Sequence, residues 1–184
     1  MAASLEVVLV RHGETEWSKT GQHTSRTDLP LTTTGEHQAR QLGIELAGRP
    51  FAVVLTSPLR RAWQTAELAG FGAVERVDDL RELDYGEYEG RTTAEIRQNV
   101  PGWTVWSGML PGGETPADAA ARADRVIERL RTRQEPALLF GHGHMLRILA
   151  AHWSELPPRA GAYFALDPAS ISVLGYERTT PVIR

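Results

Sequence analysis

The stretch LVRHGETEW, residues 9–17, decides how the chain is read. An apolar run, VVLV over 7–10, ends abruptly in Arg11, His12, Gly13 and Glu14. The run is short, continuous and β-branched, which suits a strand buried on both faces of a parallel sheet. In open sheets of that kind, ligands bind beyond the carboxyl ends of the strands. A cation and an imidazole at that point are therefore candidates for chemistry.

A second strand end has nearly the same form. PALLF (136–140) runs into Gly141-His142-Gly143-His144. Each histidine lies just past a buried strand and beside a glycine, which permits close backbone approach. If the two strands are neighbours, the imidazoles of His12 and His142 face one crevice. A third strand end, TSPLRRAW (56–63), supplies Ser57 and Arg60, with Arg60 in the first turn of a helix. Free amides at a helix start favour an anion, and a guanidinium adds a planar fork for its oxygens. Two arginines, two histidines and helix-end amides together suit a compact dianion, and phosphoryl is the natural choice. Taken singly, His12 reads as a packed or surface histidine and Arg60 as one of 19 arginines against one lysine, so position carries the argument. The alternative is zinc on His12, His142 and His144, with Glu14 or Glu82. Flanking arginines oppose it, and an extended His-Gly-His points its rings apart, so neither metal nor cofactor is expected. Phosphate-loop and dinucleotide glycine motifs are absent.

Outward from these motifs the chain alternates strand and helix. Strands are expected over 6–10, 51–57, 73–80 and 136–140, with closing strands over 160–166 and 170–176. Helices are expected over 34–47, from Pro58 to Gly70, over 92–98, from Thr115 as cap with Pro116 first, and over 143–153. Residues 13–31, 81–91 and 101–116 read as loops. This order gives an α/β fold: three layers, α/β/α, with a mostly parallel central sheet and helices on both faces. The chain, 1–184, is expected to form one domain.

Composition narrows the function. The chain has no cysteine, which excludes disulfides and thiolate chemistry. A net charge of −3 offers no general pull toward nucleic acid or anionic membrane. The tryptophans Trp17, Trp103 and Trp106 lack a basic track beside them, so no nucleic-acid partner is expected. No apolar run is long enough to span a bilayer. MAASLEVVLV has no basic opening and reads as a first strand, so a cytoplasmic location is expected.

LVRHGETEW, SPLRRAWQTA, RELDYGEYEG and the late GHGH together closely resemble the histidine phosphatase superfamily, in its phosphoglycerate mutase-like branch, over the whole chain. The pattern is most similar to its small acid phosphatases and sugar bisphosphatases. The resemblance implies that His12 is the nucleophile that becomes phosphohistidine. It implies that Arg11, Arg60 and His142 form the phosphate pocket and that Glu82 is the general acid and base. Ser18, Thr24 and Tyr85 match substrate-side positions, and Gly143 offers a backbone donor. Under that scheme His12 attacks as a neutral ring, a protonated His142 helps the arginines hold phosphate oxygens, and Glu82 begins protonated. Glu14 is a rival for Glu82, with a bland reading as an arginine-paired loop residue. Glu87 and Glu89 read as solvated or structural.

The expected activity is metal-independent hydrolysis of small phosphorylated metabolites. The alternatives are a phosphoglycerate mutase and, further off, a phosphate-binding protein without turnover. Only 60 positions separate Glu82 from His142, too few for the long cover of the mutases resembled here. Trp103, Trp106 and Met109 are the candidates for a short apolar lid. A second cationic patch would draw on Lys19, His23, Arg26 and Arg81. The resemblance implies a homodimer, with an edge around 170–176 as the pairing strand. The tail TTPVIR is expected to be loosely held.

Overall fold

The computed structural model describes residues 5–184; Met1–Ser4, part of the opening segment read above as free of a leader, lie outside the described residues. Six strands form one sheet: β1 (Val7–Arg11), β2 (Val53–Thr56), β3 (Glu75–Arg76), β4 (Ala137–Gly141), β5 (Ile171–Glu177) and β6 (Thr180–Ile183). Their order is β3-β2-β4-β1-β5-β6. The first four are parallel, and β5 and β6 run antiparallel at one side. Six helices accompany them: α1 (Glu16–Thr20), α2 (Thr33–Glu45), α3 (Arg60–Leu68), α4 (Thr93–Asn99), α5 (Pro116–Arg133) and α6 (Gly143–Trp153).

The continuous apolar strands are explained by burial on both faces. Val8, Val10, Leu138 and Phe140 pack against Leu42 and Leu46 at the end of α2 and Ala66 of α3. Val7, Leu9 and Leu139 point the other way, onto Ala123 and Val126 of α5 and Met145 and Leu149 of α6. The result is the expected three-layer α/β/α arrangement. The helices start where their caps predict. Thr92 with Glu95 and Thr115 with Asp118 form reciprocal capping boxes, and the Thr32 side chain accepts from Gly35 N–H.

The central adjacency is the one that brings the two histidines together. β1 and β4 pair in parallel with Arg11 opposite Gly141, and His12 N–H donates to Gly141 C=O at 3.0 Å. The two strand ends therefore deliver His12 and His142 side by side.

Four expectations differ from the structure. The 13–31 segment contains α1, started by a box in which Thr15 and Ser18 exchange bonds; serine replaces the usual acidic partner. In 73–80 only Glu75–Arg76 pairs with β2, and Asp78–Leu80 turns as a 3₁₀ helix. Residues Pro158–Tyr163 form a 3₁₀ helix instead of a strand, opened by Pro157 and Pro158 and held where Arg147 takes the carbonyls of Gly161 and Ala162. The tail is not loose: Arg178, at a left-handed φ of 57°, turns the chain so that 180–183 pairs with β5. That pairing fills the second side of 171–177. This segment cannot serve as the edge of a two-fold sheet, because β6 is the edge.

The Arg11–Glu14 turn lies directly on the first turn of α2. A Cβ on Gly35 would lie 2.2 Å from Glu14 C=O, and one on Gly13 would lie 2.5 Å from Gly35 C=O. Thr32 N–H donates to Glu14 C=O at 2.9 Å, and Glu14 N–H donates to Gln38 Oε1 at 2.8 Å. Both atoms in the way are backbone, so they cannot rotate aside. Gly35→Ala is expected to cost about 2 kcal/mol, a fall in Tm of about 4–8 °C for a chain of this size. Thermal unfolding followed by circular dichroism checks this, and a Tm unchanged within about 1 °C would show that the crossing yields freely.

Candidate active site

His12 is buried at the end of β1, 5 % exposed. Its Nδ1 lies 2.7 Å from Gly13 C=O. A carbonyl can only accept, so Nδ1 carries the proton and Nε2 keeps its lone pair. Burial, then the charge of Arg61, then that of Arg11 hold the His12 pKa well below the ordinary histidine value, against the opposing pull of the Gly13 bond. The neutral ring thus presents the Nε2 lone pair.

His142 has no exposed surface, and its ring centroid lies 5.2 Å from that of His12 at an interplanar angle of 63°. The arginine beside it is Arg61, and this corrects the sequence reading. Arg60 is exposed, and its backbone N–H is capped by Asp28 Oδ1 at 2.6 Å. Arg61 is fully buried, and its Nε donates to His142 Nδ1 at 3.2 Å. Helical phase decides between the neighbours. Arg61 shares a face with Ala62, Thr65 and Ala66, all buried. That small-residue stripe was the available signal, and the choice of Arg60 overlooked it.

The same bond corrects the expected charge on His142. Its Nδ1 accepts, so the proton sits on Nε2, which donates to Ser57 Oγ at 2.7 Å. Burial first, then Arg61, His12 and Arg11, lower the His142 pKa well below the ordinary value. The ring is neutral in the free protein.

Two donors are left open. Arg11 gives Nη1 to Leu166 C=O, but its buried Nε has no partner. Gly143 sits over that guanidinium, close enough that a Cβ would lie 3.5 Å from Arg11 Cζ. The Gly143 N–H opens α6 and donates to no group among the described residues. The next two amides of α6 are taken by Glu82: His144 N–H donates to Oε2 at 3.1 Å and Met145 N–H to Oε1 at 2.8 Å. Leu83 N–H adds a third bond to Oε1 at 2.9 Å. A helix start thus holds the candidate acid at the edge of the site. Neither Arg11 nor Arg61 has a carboxylate at ion-pairing distance among the described residues.

Arg11, His12 and Glu82 line one hollow of about 170 Å³. Ser18, Thr24, Tyr85 and Gly143 line it too, as do Thr15, Gln22, His23, His144 and Arg147. Burial, foremost, raises the Tyr85 pKa well above that of a free phenol. Its hydroxyl therefore stays protonated and is hydrogen-bonded to His144 Nδ1 at 2.6 Å. Burial also lowers His144 well below the ordinary value, so the 3.9 Å approach of its Nδ1 to Glu82 Oε2 is not an ion pair. Arg147 stacks on Trp106, 4.5 Å from the ring centroid, with Nε and Nη2 given to backbone carbonyls.

The expected second cationic patch does not form. Only His23 reaches this hollow, and burial lowers its pKa. Lys19 is exposed on α1, while Arg26 and Arg81 line a neighbouring hollow and are paired with Asp84 and Asp78. The three apolar lid candidates do not line the hollow: Trp103 is buried, with Nε1 donating to Met109 C=O, the Met109 side chain is exposed, and Trp106 packs behind His144, with ring centroids 5.2 Å apart. Glu14 lies outside the hollow and accepts from Thr32 Oγ1 at 2.7 Å, so it shapes the loop, though without the arginine expected for it. Arg61, Arg147, Thr15 and Gln22 are site residues that the sequence reading did not place, and His144 entered it only as a zinc candidate.

An imidazole with a free lone pair, the Arg11 guanidinium and a free helix-end amide meet at one small hollow, with the buried Arg61 guanidinium behind, an arrangement that suits a phosphoryl group. Comparison with known proteins agrees. The family model for the histidine phosphatase superfamily (branch 1) matches residues 7–184. An acid phosphatase of Mycobacterium tuberculosis is 41 % identical over 182 residues, covering 93 % of this chain and 86 % of its own. The sedoheptulose 1,7-bisphosphatase of Saccharomyces cerevisiae is 37 % identical, covering 81 % of this chain and 67 % of its own. A solved structure of a Mycobacterium tuberculosis open-reading-frame product superposes with a TM-score of 0.94 at 38 % identity, covering 98 % of this chain and 95 % of that one. The chain belongs to the histidine phosphatase superfamily, branch 1, and is a hydrolase of phosphate esters. No helix among the described residues is long and apolar enough to cross a membrane.

The lowered histidine pKa values fix a pH dependence. His12, His142 and His144 are neutral when folded and take up protons more readily when unfolded. Their contribution to stability is therefore complete above the unfolded value of about 6.5 and is lost as pH falls toward the lower folded values. Urea unfolding is expected to show stability falling below pH ~6.5, by up to about 1.4 kcal/mol per pH unit for each ring. Nitrogen-15 spectra should show His12 as the Nδ1–H tautomer and His142 as the Nε2–H tautomer at neutral pH. A His12 ring that titrates near the ordinary value would contradict the assignment.

Proposed function

We propose that this chain is a metal-independent phosphomonoesterase for small phosphorylated metabolites, folded as one domain, with His12 as nucleophile and Glu82 as general acid and base. The observation that carries the reading is the pairing of a lone pair on His12 Nε2 with an unpartnered buried N–H on Arg11. An ester phosphoryl group would bring oxygens to Arg11 and to Gly143 N–H. Nε2 attacks phosphorus in line with the leaving oxygen; the N–P bond forms and the P–O bond to the alcohol breaks. Glu82 takes up the proton that a monoanionic phosphate ester brings into the site and passes it to the departing alkoxide. Water then attacks the phosphohistidine, Glu82 takes a proton back, and phosphate leaves. Arg61 adds charge from behind, since most of its N–H groups are spent on the protein.

Hydrolysis is favoured over transfer between two positions of a substrate. Among the described residues Trp103, Trp106 and Met109 do not line the hollow, so they give no apolar cover against water over the intermediate. The leaving group faces Tyr85, His144, His23 and Ser18, a mostly uncharged set of donors and acceptors suited to hydroxyl groups. Arg147 is the one further cation on that side. A sugar phosphate or glycolytic phosphate fits this better than a phosphorylated protein.

A phosphate-release screen over small phosphomonoesters, in the presence of a metal chelator, tests the proposal. Activity is expected to survive chelation and to vanish in His12→Ala. Arg61→Ala should lose about 10²-fold or more in kcat, whereas Arg60→Ala should stay within about twofold. Brief incubation with labelled substrate should trap an acid-labile phosphoenzyme on His12. Equal losses at Arg60 and Arg61, or full activity in His12→Ala, would refute the assignment.

A further inference from the structure

The segment 24–27 is held from both sides. On one side it accepts from Arg61: Nη2 donates to Thr24 C=O at 3.1 Å and Ser25 C=O at 3.3 Å, and Nη1 donates to Thr27 C=O at 3.1 Å. On the other side its amides donate to Glu89. Ser25 N–H reaches Oε2 at 2.8 Å and Thr27 N–H reaches Oε1 at 3.0 Å, and the Ser25 hydroxyl also donates to Oε2. One peptide unit therefore lies between the two charges. The C=O of Thr24 accepts from Arg61, and the N–H of Ser25, in that same planar unit, donates to Glu89.

Glu89 has no ion-pair partner among the described residues. Burial pushes its pKa up, but the bonds from Ser25 and Thr27 outweigh this and leave it below the ordinary value. The carboxylate and the buried guanidinium thus form an ion pair with a peptide between them, in which each charge strengthens the hydrogen bond made by the other. Arg61 holds His142 by its remaining Nε–H, and His142 backs His12. Four of the five Arg61 N–H groups are thereby accounted for, three of them on the segment that Glu89 anchors.

We propose that Glu89 is a positioning residue of the phosphate site, acting through the Thr24–Ser25 peptide to fix the Arg61 guanidinium against His142. This rests on the phosphatase reading only for its kinetic consequence; the positioning itself is readable without turnover. Glu89→Gln keeps the shape, removes the charge and turns one of the two accepting oxygens into a donor. Glu87→Gln, an exposed neighbour without side-chain bonds, is the control.

The Arg61 Nε–H, assigned by its loss in Arg61→Lys, is expected to exchange slowly with solvent in the native chain. In Glu89→Gln it should exchange about tenfold faster or more while the β1 and β4 amides stay protected. Turnover of p-nitrophenyl phosphate should lose about tenfold in kcat/KM, and orthovanadate inhibition should weaken similarly. In an Arg61→Lys background the same Glu89 change should cost less than about twofold, since the group it positions is gone. A merely structural role would give losses that add. Ser25→Ala, which removes only the hydroxyl's bond to Glu89, should show the same signs at smaller size and carries the test if Glu89→Gln does not fold. Arg61 exchange and vanadate binding indistinguishable from Glu87→Gln, or additive losses, would overturn the proposal. Should the native chain hydrolyse nothing while Arg61 exchange responds as expected, the phosphatase reading falls and the positioning role stands.

Discussion

The site depends on a guanidinium buried without a counter-ion. Arg61 has no exposed surface, and no carboxylate touches it among the described residues. A buried charge of this kind is strongly unfavourable unless hydrogen bonds replace its water. Here the replacement comes from three backbone carbonyls and an imidazole. Much of the local architecture follows from that need. The long polar stretch after β1 lends its carbonyls, α3 presents the side chain from its buried face, and His142 accepts the last donor. The residual positive field is then available to a dianion arriving in front of it.

The same field governs the two central imidazoles. Buried, with two arginines nearby, both rings favour the neutral form, and each settles into one tautomer by the bonds it makes. Gly13 C=O takes the proton side of His12, and Arg61 takes the lone-pair side of His142. In the free protein both rings therefore present a lone pair in a positive surrounding. Glu82 completes the set from another direction, seated on helix amides that leave the first amide of α6 free.

The fold was readable because burial on both faces writes long apolar runs, and α/β topology then places whatever follows those runs at one edge. His12 and His142 were singled out on that basis and Glu82 by the family resemblance, and the structure brings the two rings within 5.2 Å of each other with Glu82 lining the same hollow as His12. What stayed hidden depended on rotation about an axis or on distant contacts. Arg60 and Arg61 differ by about 100° around α3, and arginine-rich composition blurred the choice. The 160–166 segment has an apolar pattern compatible with a strand, but two prolines and the reach of Arg147 curl it. β6 was missed because its stability comes from pairing with β5, which a short polar tail does not announce. Glu89 looked like a surface acid, because its partners are backbone amides more than sixty residues away.

His12 belongs to the sheet as much as to the active centre, because its own amide extends the β1–β4 ladder onto Gly141. Loss of the nucleophile's geometry thus requires the middle of the sheet to come apart, whereas the strap over Arg61 is tied by side chains alone. Warming should consequently blunt the enzyme in two phases: a reversible slackening of anion grip, and only later the irreversible collapse that carries the histidine away.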